Sequence, residues 1–103
     1  MTLTEAKRIV RDYISVKTDD QFSLGKTIRV CQALVHFRRE LPKNNVGWAL
    51  RYLRIYIRDL KDLWLEQGAK LTTLKEWSVK ARVYKDEVEF ERVCSRKVEN
   101  LTF

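Results

Sequence analysis

The stretch VGWALRYLRIYIRDLKDLWL, residues 46–65, has the pattern of one long helix at the centre of a small fold. Its apolar side chains recur at steps of three and four residues, the period at which one face of a helix repeats. This apolar stripe comprises Val46, Ala49, Leu50, Leu53, Ile57, Leu60 and Trp64. We expect Asn45 to cap the start of the helix and Gly68 to end it. Asparagine accepts a hydrogen bond from a free backbone N–H, and glycine tolerates the left-handed turn that ends helices.

The same helix carries two further faces outside the apolar stripe. One face is basic and comprises Arg51, Arg54, Arg58 and Lys61. The other lies between the basic face and the stripe and comprises Trp48, Tyr52 and Ile55. The helix is therefore apolar over more of its circumference than one core contact requires. Either two neighbouring helices cover it, or one apolar face is left for a partner.

The whole pattern predicts an all-α fold, a compact bundle of four to five helices in a single domain of 103 residues. The first helix is expected from Leu3 to about Val16, where apolar residues again follow the helical period. Thr2 and Glu5 have the spacing of a capping box, which satisfies two free backbone N–H groups at a helix start.

A second helix is expected from about Phe22 to Leu41, because Pro42 cannot continue a helix. Its polar face repeats the spacing of the basic face on the central helix. This second row comprises Arg29, Gln32, His36 and Arg39. Since short connectors make consecutive helices antiparallel neighbours, the two rows are expected to lie side by side as one positive strip.

The last third of the chain fits two structures. Thr73 and Glu76 have capping-box spacing, which favours one long helix or two helices broken near residues 85–87. Residues 78–84 and 88–92 also alternate between apolar and polar side chains, as the strands of a β-hairpin do. The three residues between them contain neither glycine nor asparagine, so helix is the favoured interpretation.

Basic charge is concentrated in the middle of the chain. The formal net charge is +7, and residues 22–61 hold nine basic and two acidic side chains, which accounts for the whole excess. Such clustering is typical of proteins that bind an anionic partner, most often nucleic acid.

Several classes of protein are disfavoured by what the sequence contains. Cys31 and Cys94 lie far apart in apolar surroundings, as buried free thiols do, and they are consistent with a cytoplasmic protein. No apolar run has the length of a signal-peptide core or of a membrane span. A single histidine, His36, leaves no metal-ligand pattern, and we find no nucleotide-binding loop or catalytic motif. We therefore expect neither an enzyme nor a metal or other cofactor.

The first functional hypothesis is binding to the nucleic-acid backbone, as an accessory subunit of a larger nucleoprotein complex. The residues expected to contact phosphates are Arg29, Arg39, Arg51, Arg54, Arg58 and Lys61. Trp48 or Tyr52 would stack on bases. The alternative is a small protein-interaction module or inhibitor, of phage or mobile-element type, that docks on a host protein through Trp48, Tyr52 and Ile55. Homodimerisation through this same apolar face is a third hypothesis.

Overall fold

The computed structural model describes residues 1–15 and 23–100, with side chains up to residue 95 of the last helix. Within these ranges the chain forms five α-helices and no strand. They are α1 (Leu3–Ser15), α2 (Leu24–Phe37), α3 (Lys43–Glu66), α4 (Leu71–Lys80) and α5 (Glu87–Asn100). The predicted all-α bundle is therefore confirmed. The segment for which a hairpin remained open is helical, with a break between α4 and α5.

Hydroxyl side chains cap the first two helices. The Glu5 backbone N–H donates to Thr2 Oγ1 over 3.2 Å, which confirms Thr2 as the cap of α1. The Lys26 backbone N–H donates to Ser23 Oγ over 3.1 Å, so Ser23 caps α2. Ser23 was predicted to lie inside the second helix, but capping residues have extended backbone angles, and here ψ is 148°.

The central helix starts three residues earlier than predicted. Pro42 is its N-cap and Lys43 its first residue, so Asn45 lies within the first turn and the predicted asparagine cap is wrong. The Val46 backbone N–H donates to the Pro42 carbonyl over 3.0 Å. Proline has no N–H to leave unpaired at a helix start, and its fixed φ suits the entry to the helix. The same proline keeps α2 from continuing to Leu41, which lies buried in the connection.

Gly68 ends α3 as predicted. It has a φ of +87°, and it lies one residue beyond the C-cap Gln67. The Gly68 N–H donates to the Leu65 carbonyl, and the Ala69 N–H reaches back to the Trp64 carbonyl over 2.9 Å. These two bonds form a Schellman motif, which satisfies carbonyls left free at the helix end.

The turn at Gly68 leaves room for only two residues before the next helix. Helix α4 therefore begins at Leu71, with Lys70 as an N-cap that makes no side-chain hydrogen bond. Thr73 lies inside the first turn, so the capping box predicted for Thr73 and Glu76 is wrong. The position of the preceding Schellman turn, rather than the Thr-x-x-Glu spacing, sets where α4 starts.

A second Schellman motif ends α4, and here the left-handed residue is an arginine. Arg82 has a φ of +59°. Its N–H donates to the Val79 carbonyl over 3.0 Å, and the Val83 N–H donates to the Ser78 carbonyl over 2.9 Å. A Cβ makes this conformation costly, so glycine is the usual residue at this position.

Replacing Arg82 with glycine is expected to raise the free energy of unfolding by about 1 kcal/mol. The left-handed conformation costs an L-residue roughly 1–2 kcal/mol, and the greater freedom of glycine in the unfolded chain offsets part of that gain. Denaturant unfolding measures the change. Arg82→Ala keeps the Cβ and removes the rest of the side chain, including its charge. Equal stabilisation by both substitutions would show that charge, and not backbone conformation, destabilises this turn.

Helix α1 lies against both α2 and α3, and the direct contact between α2 and α3 is smaller. Helix α4 packs on α2, and α5 packs on α4 and α3. Buried apolar side chains from all five helices form one continuous core, within which Ala6, Leu34, Leu53, Leu74 and Phe90 are examples. Both cysteines are buried and free, as predicted.

Helix α5 is attached to the core through its first turns. Phe90 meets Tyr84 edge to face, with ring centroids 5.3 Å apart, and both rings are almost fully buried. Asp86 Oδ1 accepts the Glu89 N–H over 2.8 Å, while Glu89 Oε2 accepts the Lys85 N–H over 2.7 Å. The first bond caps α5, and the second holds the Glu89 carboxylate against the backbone just before the helix, so two carboxylates of this acidic segment have a structural role.

Candidate nucleic-acid interface

The middle of the basic face on α3 is directed at α5. Arg54 Nη2 lies 3.2 Å from Glu89 Oε1, and its guanidinium carbon lies 5.5 Å from the centroid of the Tyr84 ring. The Tyr84 hydroxyl also donates to the Arg54 backbone carbonyl over 3.3 Å. Arg54 therefore connects α3 to α5, in addition to any contact with a partner.

The next two cations on this face lie beside carboxylates of their own helix. Arg58 Nε is 2.9 Å from Asp59 Oδ1, and this hydrogen bond raises the pKa of Arg58. Lys61 Nζ is 3.8 Å from Asp62 Oδ1. The Lys61 side chain is only 17% exposed, which limits its access to a phosphate, and surface pairs like that of Arg58 contribute about 0–1 kcal/mol. They nevertheless reduce the local positive potential.

Arg51 differs from the other three cations of this face. It is exposed, and its guanidinium carbon lies 5.5 Å from the centroid of the Trp48 ring. Within the part of the chain that the structure describes, no carboxylate lies within ion-pair distance of Arg51. Its charge is therefore available to an external anion.

Three aromatic residues of α3, Trp48, Tyr52 and Tyr56, lie in a row that runs from solvent into the core, and we call this row the aromatic ladder. Trp48 is 48% exposed, and its ring lies 5.8 Å from that of Tyr52. Tyr52 stacks on Tyr56 at 5.9 Å with an interplanar angle of 20°, and Tyr56 meets the buried Tyr13 of α1 edge to face at 6.0 Å. Burial, with Tyr52 as a lesser cause, raises the pKa of Tyr56. Trp48 and Tyr52 are thus held in place by a row of ring contacts that ends at the buried Tyr13.

We name the surface around the exposed indole the Trp48 face and define it by Lys43, Trp48, Arg51 and Tyr52. A shallow depression of about 270 Å³ lies here, and Lys43, Trp48 and Arg51 line it together with Asn44 and Gly47. Ile55, one turn beyond Tyr52, is partly exposed. The Trp48 face therefore combines two exposed cations, Lys43 and Arg51, with the rings of Trp48 and Tyr52, which a planar group can reach.

The basic side chains of α2 lie in other surroundings. Arg29 lines a groove between α1 and α2 with Arg8 and Lys26. Arg39 lines a recess with Lys80 and Arg82, at the end of α4. Helix α2 packs on α4 while α3 packs on α5, and the direct contact between α2 and α3 is small, so the two polar rows have different neighbours. The six predicted phosphate-contacting residues are thus distributed over several surfaces of the molecule.

Two sets of basic residues were not among those predicted to bind. Lys43 was assigned to a connector because the start of α3 was placed too late. Arg38, Lys80 and Arg82 come together only through the packing of α4 on α2. The i, i+4, i+8 spacing of Trp48, Tyr52 and Tyr56 could have identified the aromatic ladder.

No protein-family model, curated protein or solved structure matches this chain. Over the described residues, none of the helices combines the length and the apolar character that crossing a membrane requires. In the same residues, no three histidine, cysteine or acidic side chains come together as a metal site would need. Function must therefore be argued from the geometry of the surface.

Proposed function

We propose that the protein binds single-stranded nucleic acid through the Trp48 face, with little sequence preference. The observation that carries this proposal is the exposed Trp48 ring packed on Tyr52 and beside Arg51, a cation with no carboxylate partner among the described residues. Bases stack on aromatic rings whatever their identity, while basic side chains contact the phosphates between them. Double-stranded nucleic acid keeps its bases stacked internally and cannot use the rings in this way.

The Trp48 face is short, and its length limits how tightly it can bind a strand on its own. From Lys43 to Tyr52 the helix advances about 14 Å at 1.5 Å per residue. Two rings can accept about two bases, each contributing roughly 1–3 kcal/mol. Binding by this surface alone is therefore weak, and we propose that the protein acts as an accessory subunit of a larger nucleoprotein complex. The buried free thiols support a cytoplasmic setting, where thiols stay reduced.

Fluorescence anisotropy with a labelled single-stranded oligonucleotide, measured across a salt series, tests the proposal. Trp48→Ala is expected to weaken binding about tenfold and to leave the salt dependence unchanged, because only stacking is lost. Arg51→Glu is expected to weaken binding and to lower the slope of log K against log salt by about 0.7, as one lost phosphate contact does for a single strand.

Arg92→Glu is the matched control for this experiment. Arg92 is an exposed arginine of α5, and its replacement changes net charge as much as Arg51→Glu does. Equal weakening by the two reversals would show that overall charge, and not the Trp48 face, drives binding. Wild-type affinity in Trp48→Ala would equally overturn the proposal.

A second candidate function is docking on a partner protein, for which Ile55 is the specific observation. Its partly exposed aliphatic side chain shares a helix face with Trp48 and Tyr52 and offers nothing to a phosphate. In this alternative the rings and Ile55 anchor the interface, and the arginines serve as rim charges. Ile55→Ser would then weaken the partner complex while oligonucleotide binding stays unchanged. A homodimer through the same face would show as a doubled mass in sedimentation equilibrium.

A further inference from the structure

A second basic surface lies away from the Trp48 face, where the C-terminal ends of α2 and α4 meet. It is a recess of about 350 Å³. The polar residues that line it are His36, Arg38, Arg39, Glu40, Lys80 and Arg82. We call it the α2–α4 recess. None of its residues belongs to the Trp48 face, although Arg39 was among the residues predicted from sequence to contact phosphates.

Two guanidinium groups in this recess are held near one another. Arg38 Nη1 donates to the Ala81 carbonyl over 2.8 Å, which fixes a half-buried side chain next to Arg82. Burial, and in second place the charge of Arg82, lowers the pKa of Arg38. No carboxylate lies within ion-pair distance of Arg38, Arg39 or Arg82 in the described ranges. Like charges are thus brought together with no direct ion pair to any of the three arginines in the described part of the chain.

The backbone of Arg82 adds a second, independent observation. The residue has the left-handed φ of +59° in a Schellman motif that glycine would form at lower cost. Strained residues of this kind are concentrated at binding sites, where the surrounding structure holds them in place. Here the strain places a long cationic side chain at the rim of the recess, where glycine would supply none.

The charge left over in the recess is positive, by about one to two units. Four cations, those of Arg38, Arg39, Lys80 and Arg82, face one carboxylate, that of Glu40. The two helix C-termini each contribute about half a negative charge, so about two positive charges remain. About one remains if Lys80, which lies 2.7 Å from Glu76, is counted as neutralised. A phosphate group carries about −1.5 to −2 at neutral pH.

We infer that the α2–α4 recess binds a phosphate dianion, held by Arg39 and Arg82 with Arg38 behind them. Guanidinium forks bind phosphate oxygens in pairs, which makes arginine suited to this ligand. Inorganic phosphate and the terminal phosphate of a nucleotide or strand present this same chemistry. The inference does not rest on the proposed function, since the recess and the Trp48 face share no residue.

Titration calorimetry with inorganic phosphate at pH 7.5, with ionic strength kept constant by sodium chloride, tests the inference. The wild-type protein is expected to bind one phosphate saturably. Arg82→Gly and Arg82→Ala are each expected to weaken binding about tenfold or more, because charge-assisted hydrogen bonds are lost. Arg92→Ala, which removes an exposed arginine elsewhere, is expected to bind as the wild type does.

Arg82→Gly also controls for loss of folding in this experiment. The variant is expected to unfold at higher temperature than the wild type, so weaker phosphate binding by it does not reflect unfolding. Absence of saturable binding to the wild type would overturn the inference. Phosphate affinity in Arg82→Gly and Arg82→Ala equal to that of the wild type would overturn it as well.

Oligonucleotides distinguish the two sources of phosphate. Tighter binding of a 5′-phosphorylated strand than of the same strand with a 5′-hydroxyl would assign the recess to strand ends. Equal affinities, with inorganic phosphate still bound, would assign it to free phosphate. Trp48→Ala should keep phosphate binding, and Arg82→Ala should keep 5′-hydroxyl strand binding, so this inference and the proposed function can fail separately.

Discussion

Phe90→Ala is expected to lower the free energy of unfolding by about 3–5 kcal/mol, as is usual for a buried phenylalanine. Phe90 is 1% exposed and packs edge to face on Tyr84, so its removal leaves a cavity beneath α5. Domains of this size have a total stability of roughly 5–15 kcal/mol. The melting temperature should therefore fall by about 15–25 °C, as calorimetry or circular dichroism would measure.

Val88→Ala is the matched control, because it removes an apolar side chain two residues earlier on the same helix. Val88 is 75% exposed, so its replacement should change stability by less than about 0.5 kcal/mol. The pair also separates helix from hairpin. Residues i and i+2 lie about 200° apart on a helix but on the same face of a strand. Similar losses from both replacements would contradict the helix that the structure shows.

Raising the pH from 9 to 11 is expected to remove roughly 2 kcal/mol of stability through Cys31 alone. Burial raises the pKa of this thiol from its ordinary value of 9.0 to about 12. The unfolded chain therefore loses this proton at lower pH than the folded chain, and alkaline conditions favour unfolding. Each pH unit between the two values contributes about 1.4 kcal/mol. The contribution of the protonated Cys31 thiol to stability is fully present below about pH 9, the pKa of the unfolded thiol.

Two tyrosines add to the alkaline loss. Burial also raises the pKa of Tyr13 and Tyr84, so their stabilisation falls as pH rises above about 10. Urea denaturation at successive pH values measures the total. Cys31→Ala lowers stability at every pH but should flatten its decline between pH 9 and 11. A decline as steep as that of the wild type would show that Cys31 is not the titrating group.

The positions of the helices could be predicted because the spacing of apolar residues along the sequence indicates which side chains face the core. The stripe from Val46 to Trp64 is buried at Val46, Ala49, Leu53, Ile57 and Trp64. Helix ends were less predictable, because several residues in sequence can serve as a cap. Asn45 and Thr73 have suitable side chains, but Pro42 and the turn at Gly68 set the starts of α3 and α4.

The candidate surfaces were only partly predictable. The basic and aromatic faces of α3 follow from local spacing, yet their availability depends on distant residues. Arg54 lies against Glu89, 35 positions away in sequence, while Arg51 has no carboxylate beside it within the described residues. Trp48 remains exposed because α1 covers the inner end of the aromatic ladder, where Tyr13 meets Tyr56.

Local pattern was sufficient for the all-α class, for most of the buried stripe on α3, for the cap at Thr2 and for the helix end at Gly68. These features depend on neighbours within about four residues, where the geometry of a helix is known in advance. Tertiary packing decided which cations are neutralised, which rings face solvent and how α2 and α4 create the recess around Arg38 and Arg82. Those features join residues far apart in sequence, and the relative rotation of packed helices, which places them, is set by the whole core.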